Sequence, residues 1–187
     1  MTVAFDATFL LYLFRDPGTV ATPKDAAGQP IQYARERVEG LIAELQKTGT
    51  KIVVATPALS EIMVRVGVSV AQQYVSVMSK LAVFKIAPFD TRAAIETALM
   101  HGHAIGGEDG RTATAGTHAK LKYDRQIVAI AKTEGVQVLY TDDEDQRRFA
   151  ERHGMTVRGL ADLPVPTSSG QIDLFAGFTP GVDDEDA

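Results

Sequence analysis

The sequence predicts an α/β fold: one domain with a mainly parallel central sheet flanked by helices. Three observations predict it. Short apolar runs of strand length alternate with segments of helical periodicity from residue 2 to residue 158. The run KIVVA at residues 51–55 is continuous and β-branched, as a parallel strand covered on both faces requires. The run at residues 136–140 stops at Thr141, Asp142, Asp143, Glu144 and Asp145, which puts a carboxylate cluster at the carboxyl edge of a sheet, where open α/β folds bind ligands.

Taken in order, residues 2–5 form a first strand that ends at Asp6. Thr8 is placed to cap residues 9–14, a segment apolar all round and therefore a buried helix. Asp16, Pro17 and Gly18 break it, and residues 19–30 form a polar loop whose length suits a flap or a partner contact. Residues 31–47 predict an amphipathic helix with Val38, Leu41, Ile42 and Leu45 on one face. After the 51–55 strand, Thr56 and Pro57 open a helix that carries Glu61. A further helix over 68–81 shows Val70, Tyr74, Val77 and Met78 at helical spacing. Residues 83–87 form a strand, and Asp90 caps a helix running to Met100.

Residues 101–117, rich in Gly, Thr and His, predict a surface loop, after which Asp124 opens a helix closed by Gly135. Beyond the 136–140 strand, residues 145–153 form a charged helix and 156–158 a last strand. No internal repeat is evident. The domain is assigned to residues 1–163, and residues 164–187, dominated by Pro, Ser, Gly and acids, to a loosely attached tail.

Composition narrows the function. With 187 residues and 45% hydrophobic content, the chain can bury one sizeable core. The absence of cysteine excludes a disulfide framework and thiolate-bound zinc, and fits a cytoplasmic protein. No apolar run approaches the ~20 residues of a membrane span. The apolar start lacks a basic leader and contains Asp6, so no signal peptide is expected. A net charge of −5 argues against wrapping duplex DNA through a broad basic face. It is compatible with a nuclease whose acids hold a metal, since the ion itself then attracts phosphate.

Four acids occupy matching places in the pattern. Asp6 and Asp143 each follow a strand, Asp124 opens the helix before the later strand, and Glu61 lies early in the helix after 51–55. If the strands are parallel neighbours, all four converge over one sheet edge. Close carboxylates repel without a cation, and hard divalent ions take oxygen ligands. Such a cluster suits metal-assisted hydrolysis. Each acid also has a plain structural reading. Asp6 and Asp124 can be helix caps, and Glu61 a solvated helix residue, although its neighbours Leu59, Ile62 and Met63 are apolar. The run 142–145 suits a solvated helix N-terminus. We favour function for Asp143 and the plain reading for Glu144 and Asp145.

The segments FDAT at residues 5–8, TPALSEIMVRVG at 56–67, YDRQIVAIAKTEG at 123–135 and VLYTDDED at 138–145 resemble the PIN domain family, and within it VapC-type toxins, over residues 1–163. The resemblance implies a Mg²⁺- or Mn²⁺-dependent ribonuclease acting on single-stranded RNA. It implies too that Asp6, Glu61, Asp124 and Asp143 are the catalytic, metal-holding acids, supported by Thr141, with Thr8 the small polar residue after the first acid. A cognate antitoxin and a homodimer are the implied protein partners. Asp142 falls at a variable position, either an auxiliary ligand or a solvated neighbour. The loops at 19–30 and 101–117 are longer than a compact toxin of this type needs, and the tail has no counterpart.

Lys120 and Lys122, ahead of Asp124, are candidate phosphate contacts or plain surface lysines, and Arg35 and Arg37 have the same standing. His101, His103 and His118 are read as surface residues rather than a zinc site. Two other functions compete with the toxin: a PIN-like nuclease acting on DNA or in RNA processing without an antitoxin, and a non-catalytic module that binds a cation or a basic partner.

Overall fold

The computed structural model describes residues 1–14, 23–25, 27–104 and 115–165. The break at Asp16 to Gly18, residues 19–22 and 26 of the 19–30 loop, the centre of the 101–117 segment and the tail from residue 166 lie outside the described residues. Five strands form one all-parallel sheet: β1 (Thr2–Phe5), β2 (Lys51–Ala55), β3 (Phe84–Ala87), β4 (Val138–Tyr140) and β5 (Thr156–Arg158). Their spatial order is β3-β2-β1-β4-β5. The chain therefore steps outward from β1 to β3, then crosses back to lay β4 on the other side of β1. That reversal is the topological switch point, and it lies where β1 ends in Asp6 and β4 in Thr141. Phe5 pairs with both Val54 and Tyr140, so the residues just past these three strand ends stand level on the same edge.

Among the described residues, seven α-helices flank the sheet: α1 (Ala7–Phe14), α2 (Ala34–Lys47), α3 (Thr56–Val66), α4 (Val68–Lys80), α5 (Thr91–Ala104), α6 (Ala115–Thr133) and α7 (Glu144–Arg152). Every residue of α1 except Thr8 is buried, as its apolar circumference demands. Phe5, Phe9 and Tyr140 form a tilted aromatic cluster with ring centroids 5.4 to 5.6 Å apart, which locks α1 onto the centre of the sheet. Val38 and Ile42 of α2 and Tyr74 and Met78 of α4 join the same core.

Several boundaries differ from the sequence reading. α2 begins at Ala34 rather than residue 31, because Tyr33 takes a left-handed conformation at φ 60°. Asp6, not Thr8, caps α1: its Oδ1 accepts from the Phe9 amide at 2.8 Å. The chain turns from strand to helix without a spacer, so the cap position falls on the residue directly after β1. The 101–117 segment is not wholly loop. α5 continues to Ala104 and α6 begins at Ala115, which leaves Asp124 inside a helix instead of at its start. Gly and Thr are weak helix formers, but α5 and α6 pack on each other, and tertiary packing outweighs such propensities.

The end of α1 is held by a side chain. Tyr74 stacks on Phe14 with 4.1 Å between ring centroids, and its hydroxyl donates to the Phe14 carbonyl at 2.7 Å. Tyr74→Phe keeps the stacking and deletes the bond to a helix-terminal carbonyl. It is expected to lower stability by about 1–2 kcal/mol, read as a lower urea midpoint at unchanged slope.

Candidate active site at the carboxyl edge of the sheet

Asp6 is the centre of the edge. It is buried, and both of its carboxylate oxygens accept a hydrogen bond: Oδ1 from the Phe9 amide and Oδ2 from the Thr141 hydroxyl at 2.5 Å. Burial nonetheless dominates, and the nearby charge of Asp142 adds to it. Together they hold the carboxyl at about 7, against an ordinary 3.8, despite the opposing pull of hydrogen bonds from Thr141, the Phe9 amide and Thr8. Thr141 is fully buried and works in two directions, donating to Asp6 and accepting from the Asp143 amide at 3.0 Å.

Past Thr141 the acids part ways. Asp143 caps α7, its Oδ1 accepting from the amides of Asp145 and Gln146 at 3.0 Å each. Glu144 and Asp145 are exposed first-turn residues that suit the helix dipole. Asp142 is exposed, yet both of its carboxylate oxygens are hydrogen-bonded within the protein. Its Oδ2 accepts from the Tyr12 hydroxyl at 3.0 Å and its Oδ1 from the Leu160 amide at 2.8 Å, tying α1 to the turn after β5. A Cβ built on Gly159 would lie 2.6 Å from Asp142 Oδ1, so glycine is needed for the carboxylate to reach that amide. Tyr12 was absent from the sequence candidates. Burial, reinforced by Asp142, lifts its phenol far above the usual range and keeps it a donor. The one available signal was a tyrosine within an otherwise apolar helix, since a buried hydroxyl needs a partner.

Glu61 and Asp124 stand together on the other flank. Both line an open cleft of about 420 Å³ between α3 and α6, with Pro57, Val64, Arg65 and Tyr123. Asp124 is buried; Glu61 is half-buried and leans along its own helix to Arg65 at 2.6 Å. The predicted acids fall in two groups: Asp6 with Thr141, Asp142 and Asp143 at the sheet edge, and Glu61 with Asp124 in the α3–α6 cleft, whose lining includes none of the first group. Lys122 is exposed on α6; the side chain of Lys120 lies outside the described residues, as do those of His101, His103 and His118. Arg35 bonds the buried Glu39 at 2.8 Å and lies near Tyr74, by the end of α1 remote from Asp6. Arg37 donates to the carbonyls of Gln32 and Leu163.

An all-carboxylate edge has the donor chemistry of a hard divalent cation, and a cation would reverse both influences that raise Asp6. As placed, no three His, Cys, Asp or Glu side chains among the described residues are grouped to hold an ion. The residues fit by donor type but are not grouped as placed, and Glu61 would have to leave Arg65 to take part.

A five-stranded parallel sheet with acids at its switch point defines a PIN-like α/β fold. Among the solved structures that share this fold are VapBC complexes. VapBC2 from Rickettsia felis bound to a DNA fragment from its promoter matches with a TM-score of 0.56 at 12% identity, over 85% of this chain and 98% of that one. VapBC-1 from nontypeable Haemophilus influenzae matches with 0.54 at 11%, over 87% and 100%. DNA-bound VapBC from Salmonella typhimurium matches with 0.51 at 14%, over 86% and 98%. No family model matches the chain, and no curated protein matches it in sequence. No helix among the described residues is long and apolar enough to cross a membrane.

The state of Asp6 has a measurable consequence for the metal-free protein. The unfolded carboxyl releases its proton near 3.8 and the folded one near 7, so between these values the folded chain binds more protons. Stability therefore falls as pH rises across that window, and the loss is complete above it. In EDTA, Asp6→Asn is expected to be more stable than wild type at pH 8 by roughly 2–4 kcal/mol and equal to it at pH 4. Parallel pH profiles of melting temperature for the two proteins would contradict this.

Proposed function

We propose that the chain is a metal-dependent endoribonuclease that hydrolyses phosphodiester bonds of single-stranded RNA, and that it is the toxin of a type II toxin–antitoxin pair. The observation that carries the chemistry is the buried Asp6 carboxylate, fixed by Thr141 at the switch point of the sheet; Asp124 and Glu61 line the cleft between α3 and α6. Asp6, Glu61, Asp124 and Asp143 would hold Mg²⁺ or Mn²⁺. When bound, the cation supplies charge neutralisation at the phosphate and activation of water. The chain's own contribution is orientation. Thr141 holds Asp6 and the start of α7 in one register, and the α3–α6 cleft receives the substrate strand beside the acids.

The toxin role rests on the likeness to VapBC structures, which pair a protein of this fold with an antitoxin, and it brings with it a cognate antitoxin and a second copy of this chain as partners. A non-catalytic cation-binding module draws support from the present commitments of Asp143 to α7 and Glu61 to Arg65.

The test is cleavage of a mixed RNA pool with sequenced ends. Wild type is expected to cut in Mg²⁺ or Mn²⁺, with Asp6→Asn and Asp124→Asn slower by about 100-fold or more and all activity lost in EDTA. Full activity in either variant, or in excess EDTA, would overturn the assignment. Metal binding by wild type without turnover would favour the module.

A further inference from the structure

The cleft between α3 and α6 has a composition that the acids alone do not require. Its acid end is Glu61 and Asp124, and the rest is Pro57, Val64, the ring of Tyr123, the hydroxyl residue Ser60 and one cation, Arg65. Val64 is 84% exposed and Tyr123 49% exposed, and both border the same hollow as Arg65. Single exposed hydrophobic residues are ordinary, but two on one cleft beside a guanidinium make a surface with an aromatic face and a charged rim. The Arg65 side chain is 52% exposed while it bonds Glu61, so it reaches solvent at the lip of the hollow. At about 420 Å³ the cleft falls in the size range of small-ligand pockets, about 300–1,000 Å³.

A nucleotide has the matching anatomy: a flat base with an apolar face, and a phosphate one sugar away. We propose that this cleft is a subsite for one unpaired base of a single-stranded RNA, stacked on Tyr123 against Val64, with Arg65 contacting the neighbouring phosphate. The assignment rests on the nuclease reading for its substrate class and deepens it by saying where a base adjoining the reacting phosphate sits. Tyr123 directly precedes Asp124 on α6, so a base on its ring places the strand beside the acids. A duplex cannot use the site, because its bases are stacked on one another and hidden from an aromatic side chain. Stacking on an aromatic face accepts any base, so the subsite selects an unpaired base over a paired one.

The test measures binding apart from cleavage. The affinity of a fluorescein-labelled, random-sequence single-stranded RNA octamer is measured in EDTA for wild type, Tyr123→Phe and Tyr123→Ala. Tyr123→Phe should bind as wild type does, and Tyr123→Ala about tenfold more weakly. The Tyr123→Ala defect should vanish on an abasic octamer of the same length. Arg65→Ala should weaken binding with a salt dependence reduced by about 0.7 in log–log slope, the signature of one lost phosphate contact on a single strand. Equal binding by all three Tyr123 forms, a Phe variant as weak as the Ala variant, or no RNA binding by wild type would each overturn the subsite; equal binding would leave the cleft to an apolar protein segment. Wild-type cleavage is measured separately in Mg²⁺. Its absence alongside the expected binding pattern would refute the nuclease reading and leave the base subsite standing.

Discussion

Burial of the Asp6 carboxylate between the ends of β1 and β4 is the constraint on which the rest of the edge depends. A carboxylate out of contact with water is tolerated only if its oxygens are engaged or its charge is suppressed, and here both occur. The Phe9 amide and the Thr141 hydroxyl take the oxygens, while burial moves the carboxyl to about 7. Each of these requirements fixes a neighbour. The Phe9 bond makes Asp6 the cap of α1, so the first helix can start only at Ala7. The Thr141 bond requires the end of β4 to lie beside the end of β1, on the side that β2 leaves open.

From that point the order propagates outward. The Thr141 hydroxyl passes its second interaction to the Asp143 amide and sets where α7 begins. Asp142 joins α1 to the turn after β5 through Tyr12 and Leu160, and it contributes the one neighbouring charge that pushes Asp6 upward. The metal-free edge is therefore a strained electrostatic arrangement on a well-packed base. Aromatic packing among Phe5, Phe9 and Tyr140 beneath it provides the rigidity that lets a disfavoured charge be kept in place.

Much of this could be read from the chain. The β-branched run at 51–55 and the apolar stop at Thr141 are local patterns, and a parallel sheet follows from their alternation with helices. That Asp6 and Thr141 meet follows from each directly following a strand, since parallel strand ends share an edge, whereas the supporting part given to Thr141 came from the family resemblance. The helical context of Asp124 was not legible. Gly and Thr in 101–117 signal a loop, and only the packing of α5 on α6 reverses that signal at the segment's two ends. The Tyr12–Asp142 bond spans 130 residues and the fit of Gly159 against Asp142 depends on a turn after the last strand, so neither leaves a mark at short range. Glu61 was placed on the correct helix, but its lean onto Arg65 is a matter of side-chain rotation that spacing does not encode.

The most direct measurement is proton release on metal binding. Mn²⁺ is titrated calorimetrically into wild type and Asp6→Asn at pH 6 in buffers of different ionisation enthalpy. If Asp6 is the carboxylate that burial keeps protonated and that a cation claims, wild type releases about one proton per bound ion and Asp6→Asn binds weakly and releases none. Binding of equal strength by the two proteins, with no proton released by wild type, would contradict the central role given to Asp6.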